Sequence, residues 1–260
     1  MDQDRKPYIG ITGFMTQAEV ETALRVIPID SSRLIMVGVL VSHKTLGGQL
    51  NRWPNRYPII IAGDLTDIFV GDRRALNLVH FNTHNEHFGD ELLRIERMSL
   101  DLMGFQLNIA WPSAREIEVY RLGVFGTKTI VLQLGSKAMA ICDNSPAGIA
   151  AKLATDYPRG LIDYVLIDPS GGFGQPFDPD FARQCLRAIR DKDFNVGLGV
   201  AGGLGPNTLH LVEPLIEEFP DLSIDAEGQL RDEQDHLDLV KAKDYLQCAL
   251  RLFGPPRLDV

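Results

Sequence analysis

The chain has few cysteines, no long apolar run and a shortage of positive charge, and each scarcity excludes something. Its three cysteines, Cys142, Cys185 and Cys248, lie far apart. They form neither the framework of a disulfide-stapled domain nor a CxxC metal knuckle. No stretch approaches the ~20 consecutive apolar residues of a membrane helix. The opening Met1-Asp2-Gln3-Asp4-Arg5-Lys6-Pro7 is polar, with no apolar leader segment behind it. Lys and Arg number 26 against 35 Asp and Glu, a formal net charge of −9. Such a surface disfavours bulk binding to nucleic acid or anionic membrane. No GxGxxG fingerprint of a dinucleotide-binding sheet follows the first apolar run. Together these absences lead us to expect a soluble, cytoplasmic protein with neither a cofactor nor a membrane or nucleic-acid partner.

What is present is an ordinary globular mix, 45% apolar and 23% charged. The 260 residues match the roughly 250 of a single (βα)₈ barrel. Short runs rich in Val, Ile and Leu alternate with amphipathic stretches about 32 residues apart, the pattern of β and α elements in turn. Eight strands are predicted near Tyr8–Thr12, Leu34–Val41, Ala75–Phe81, Phe105–Ala110, Thr129–Leu134, Tyr164–Asp168, Val196–Ala201 and Leu222–Ala226. Helices are expected after each: from Thr16-Gln17-Ala18-Glu19, a capping-box spacing; over about Ile59–Phe69; from Pro112-Ser113; from Pro179; and over His236–Phe253. Alternation of this kind gives a parallel sheet covered by helices. We therefore expect one α/β domain over residues 1–260, a closed (βα)₈ TIM barrel, with an open doubly wound sheet as the rival.

In such a barrel the site lies at the C-terminal ends of the strands. Strand alternation puts His80 and Asn82 on one face, Gln106 and Asn108 on another, Gln133 on the fifth strand, Asp168 at the end of the sixth, and Asp225 with Glu227 on the eighth. Polar groups buried unpaired in apolar strands cost several kcal/mol, so their gathering at one end of many strands is informative. Taken singly, each Asn or Gln is equally well read as a satisfied structural group, and Asp168 as a turn-former before Pro169. Three successive strands also end in glycine loops: Gly171-Gly172-Phe173-Gly174, Gly202-Gly203 and Gly228. Such loops expose backbone N–H groups to an anion, and those after strands seven and eight are the usual phosphate site of the fold. Asp168, Asp225 and Glu227 are the candidate acid–base residues. His80, Asn82, Asn108, Gln133, Gly171, Gly172, Gly202, Gly203 and Gly228 are the candidate substrate contacts. His80, His84, His87 and Glu86 hold metal-ligand chemistry, but His80 is on a strand and the others lie beyond it, so no metal is assigned. The loop 42–57 after strand two is long, basic and aromatic, with Lys44, Arg52, Arg56, Trp53 and Tyr57, and suits a lid or binding loop.

These residues resemble the phosphoribosylanthranilate isomerase family. Ile9-Gly10-Ile11-Thr12 stands where that family has Cys-Gly-Ile-Thr, and Gln106-Leu107-Asn108-Ile109 where it has Gln-Leu-His-Gly. Asp168 precedes a Gly-Gly-x-Gly loop and Phe177-Asp178, and Ala201-Gly202-Gly203-Leu204-Gly205-Pro206-Asn207 matches its seventh strand end. The resemblance implies a (βα)₈ barrel acting on a ribosyl-phosphate compound. The departures redirect it. The family's catalytic base is the Cys of the first motif, matched here by Ile9, which cannot take a proton. The family's Ser-Ser-Gly aligns near Ala226-Glu227-Gly228, and a carboxylate there repels a phosphate by up to ~4 kcal/mol at 4 Å. The expectation is therefore an enzyme on a small ribosyl or sugar-linked metabolite, phosphorylated or not, that isomerises it or cleaves or transfers an N-glycosidic bond by carboxylate chemistry. The alternative is a non-catalytic small-molecule binding barrel of the same descent.

Overall fold

A computed structural model describes residues 5–60, 65–170 and 177–254. Eight parallel strands close in sequence order: β1 (Tyr8–Thr12), β2 (Leu34–Ser42), β3 (Ala75–Asn82), β4 (Gly104–Leu107), β5 (Thr129–Gly135), β6 (Tyr164–Asp168), β7 (Gly197–Ala201) and β8 (Ser223–Ala226). β8 returns to β1 through Ile9↔Ile224, Gly10↔Asp225 and Ile11↔Ala226. The chain is thus a (βα)₈ barrel, not an open sheet.

Period two divides each strand between two apolar layers. Ile9, Ile11, Val37, Val39, Val79 and Val165 join the layer that faces the helices. Tyr8, Met36, Leu76, Leu78, Val131, Tyr164 and Leu166 fill the lower lumen. One step further along the same inward rows come Thr12, His80, Gln106, Gln133, Asp168 and Asp225, all buried. The lumen is therefore apolar below and polar at its C-terminal end.

Nine helices surround it among the described residues: α1 (Gln17–Leu24), α2 (His43–Leu46), α3 (Gly89–Glu96), α4 (Ala114–Gly123), α5 (Ser136–Ala140), α6 (Pro146–Asp156), α7 (Pro179–Asp191), α8 (Glu213–Ile216) and α9 (Leu239–Leu252). Thr16 and Glu19 form the expected capping box at α1. Asp178 caps α7, accepting from the N–H groups of Asp180 and Phe181 at 3.0 Å.

Three expectations need correction. The helix expected over Ile59–Phe69 is absent where the chain is described. Ile59 and Ile60 lie outside any helix or strand, and a single turn follows at Thr66–Ile68; a β-branched Ile run after Pro58 is poor helix sequence. Leu65, Ile68 and Phe69 still bury themselves in the outer layer. The fourth strand ends at Leu107 instead of Ala110. Asn108 gives its carbonyl to Asn82 Nδ2 at 3.0 Å, and the chain then turns through Trp111 at φ +54°. Finally, the last helix starts at Leu239, not His236, because Asp238 caps it and Arg231 pairs with Leu237 before it. The loop 42–57 opens with a helical turn, α2, capped by Ser42.

Candidate active site

Register fixes which side chains meet. His80 pairs with Gln106 across β3 and β4, and Gln133 with Leu166 across β5 and β6. These inward rows converge on an unbroken chain of hydrogen bonds. Thr12 Oγ1 donates to Asp225 at 3.1 Å. Gln106 Nε2 donates to Asp225 Oδ2 at 3.0 Å and to Gln133 Oε1 at 3.1 Å, and it sits 3.4 Å from His80 Nδ1. Gln133 Nε2 donates to Asp168 Oδ2 at 2.8 Å, and Ser170 Oγ to Asp168 Oδ1 at 2.8 Å. Two amides thus join the acids of β8 and β6 through the middle of the barrel. Gln106 Oε1 is buried without a partner, leaving one acceptor unused beneath the mouth.

Burial decides the electrostatics. Asp225 is pushed up to about 7, chiefly by burial, with Glu227 and Asp168 adding to the rise and the Gln106 and Thr12 hydrogen bonds opposing it. The carboxyl of Asp225 therefore holds or releases a proton near neutrality. Burial pushes His80 down despite the nearby acids, so its imidazole is neutral.

Two glycines make this arrangement possible. A Cβ on Gly10 would lie 2.7 Å from Asp225 Oδ1, so the Asp225 carboxyl occupies space that β1 leaves free. Gly202, at φ +101°, passes the Asp168 carboxyl where a Cβ would come to 2.9 Å.

Glu227 differs from Asp225. It stands at the rim and its Oε1 accepts from Arg56 Nη1 at 2.8 Å, while the rest of that guanidinium grips Asp235. The loop after β2 is thereby tied across the mouth to the loop after β8. Asn82 and Asn108 line a wide cleft of about 1940 Å³ above the loops after β2–β5, and Gln133 reaches its floor. Gly203 follows Gly202 after β7, and Gly228 follows Glu227 after β8, both at the strand C-terminal end. Gly171 and Gly172 lie outside the described residues.

Sequence pattern alone leaves Thr12 and Ser170 out of the site, gives Gln106 a place on a strand face but no role, and puts Arg56 in the loop after β2 without a partner. Gln106 carries the available signal, an amide on an inward row of an apolar strand; the pairing of Arg56 with Glu227 leaves none. The position matched to the family's cysteine lies on the outer side of β1. Ile9 packs in the helix-facing layer, whereas the inward residues of β1 are Tyr8, Gly10 and Thr12, none of which is a thiol. Among the described residues, no three His, Cys, Asp or Glu side chains come together as metal ligands. His43 instead contacts Glu91 at 2.6 Å, and His87 lies 3.6 Å from Glu116.

No family model and no curated protein sequence matches the chain. Solved structures do. The phosphoribosylanthranilate isomerase of Thermus thermophilus superposes with a TM-score of 0.64 at 16% identity, over 94% of this chain and 99% of that one. The fold is that of the phosphoribosylanthranilate isomerases. The Thermotoga maritima isomerase gives a TM-score of 0.56 at 16% identity, covering 94% of this chain and 98% of its own. A phosphoribosylanthranilate isomerase in complex with reduced 1-(o-carboxyphenylamino)-1-deoxyribulose 5-phosphate gives 0.59 at 12% identity, over 94% and 98%. No helix among the described residues is long and apolar enough to cross a membrane.

Proposed function

We propose that this barrel is an enzyme that isomerises, or cleaves at its N-glycosidic bond, a small ribosyl or sugar-linked metabolite by carboxylate acid–base chemistry. The observation that carries the reading is Asp225, a buried carboxyl at the floor of the mouth whose proton affinity falls near neutral pH. A group of that affinity suits general acid–base work. In this reading Asp225 takes over, from the space above Gly10, the proton acceptance that the resemblance gives to a β1 cysteine. Asp168, steadied by Gln133 and Ser170, faces the same lumen and would stabilise positive charge developing on a sugar carbon. Gln133, Asn82 and Asn108 orient the ligand, and neutral His80 offers a hydrogen bond in place of a charge. The sugar phosphate bound in one isomerase of the same fold supports the ligand class.

A second reading, a non-catalytic binding barrel, draws on the same network: both acids already have protein partners and no thiol faces the lumen from β1. The test is single-turnover kinetics on a panel of ribosides and phosphoribosyl compounds. Asp168→Asn and Asp225→Asn are each expected to lose a hundredfold or more in rate with the fold retained. Compounds that raise the melting temperature without being turned over by the wild type would favour the binding barrel.

A further inference from the structure

Charge is distributed unevenly around the mouth, opposite to what the usual phosphate site of this fold requires. On the side of β6–β8 stand Asp168, Asp225 and Glu227. Among the described residues, the two guanidinium groups there, of Arg56 and Arg231, already have protein partners. Arg56 is shared between Glu227 and Asp235. Arg231 is buried with its guanidinium on the carbonyls of Thr12 and Gly13.

The other side is the cleft of about 1940 Å³ above the loops after β2–β5. Its walls carry Lys44, Arg52, Arg115 and Lys137, all exposed and none in an ion pair among the described residues. They face three lining carboxylates, of which Glu116 is occupied by the Gly89 N–H at 2.9 Å. In a chain of net charge −9, this is a local excess of free cations. Arg52 lies 3.6 Å over the Trp53 ring, which holds its guanidinium in one orientation. At the foot of the cleft Trp111 adopts φ +54° with its indole N–H fixed on the Ala138 carbonyl at 2.7 Å. A bulky residue in that region is strained, and such strain gathers at ligand sites. Gln133 lines the same cleft and hydrogen-bonds Asp168, so a ligand anchored there reaches the acids.

We propose that this cleft, and not the loops after β7 and β8, holds the phosphate group of the ligand. The site stands apart from the acid pair, so it holds whether or not the proposed chemistry does. The test is titration of the full chain with inorganic phosphate and with pyrophosphate at constant ionic strength, followed by amide NMR shifts. Saturable binding is expected, with shifts at Lys44, Arg115 and Lys137. The double variant Arg115→Gln/Lys137→Gln should weaken it at least fivefold, added salt should weaken it further, and Glu227→Gln should leave it unchanged. Absence of saturable binding overturns the proposal. So does binding that maps to Gly202, Gly203 and Gly228, survives the double variant and tightens in Glu227→Gln. Asp225→Asn separates the two readings: it is expected to abolish turnover and leave phosphate affinity intact.

Discussion

Asp225 illustrates how one residue ties stability to chemistry. Its carboxyl is ordinary in the unfolded chain, near 3.8, and rises to about 7 when buried. Between those values the folded state binds more protons than the unfolded one. The stabilisation is thus full below about pH 4 and is lost as pH rises toward and through 7. Every tenfold change in proton affinity corresponds to roughly 1.4 kcal/mol, so on the order of 4 kcal/mol is at stake. Asp225→Asn, neutral throughout, should flatten this dependence, so that the variant loses less stability than the wild type between pH 5 and pH 8. Urea unfolding at both pH values checks it; parallel slopes for variant and wild type would show that the carboxyl ionises freely in place. The candidate acids were legible in the sequence because strand alternation sorts inward from outward side chains. Their partners were not. Thr12 and Asp225 are 213 residues apart and Gln106 and Asp225 are 119 apart, and only barrel closure sets them side by side.

At the scale of elements, strands were the most legible because two periodic layers, one against the helices and one in the lumen, constrain every apolar run. The end of β4 was not, since a left-handed Trp111 leaves no mark on hydrophobic pattern. The segment between β2 and β3 misleads because buried Leu65, Ile68 and Phe69 show helical spacing while the preceding Ile run and Pro58 oppose a helix. That segment depends on Arg56 for its place over the mouth. Its guanidinium carries two carboxylates, Glu227 and Asp235, at 2.8 and 2.6 Å, with all three side chains about a quarter to a third exposed. Arg56→Met keeps the aliphatic stem and removes the tie. A loss of about 1–3 kcal/mol is expected, between the values of exposed and buried pairs. Faster hydrogen exchange should be confined to residues 47–57 and the loop after β8. Unchanged exchange there would mean that Trp53 and Tyr57 hold the loop without the ion pairs.

The whole molecule is a ring closed by its first and last strands. β1 and β8 pair directly, and α9 packs over β1 and α1, so the last helix covers the seam where the barrel closes. Its Ala242, Tyr245, Leu246 and Ala249 are almost wholly buried. Arg33, just before β2, adds a second clasp: its guanidinium lies 3.6 Å from the centroid of Phe253 and donates to the carbonyl of Leu222 at 2.7 Å. Each large buried side chain contributes roughly 1.5–3 kcal/mol, and the core surface beneath is uncovered when it goes. A domain's net stability is only about 5–15 kcal/mol, so losing the helix removes a large share of that margin. Ending the chain after Asp238 should therefore unfold the barrel as a unit instead of fraying one edge, because a parallel barrel with an open seam exposes two unpaired strand edges. The expected result is loss of dispersed amide NMR signals along the entire chain. A truncated protein that kept β3–β6 ordered while losing only β1, β2 and β8 would show that the barrel is built from separable parts, and that closure follows folding instead of carrying it.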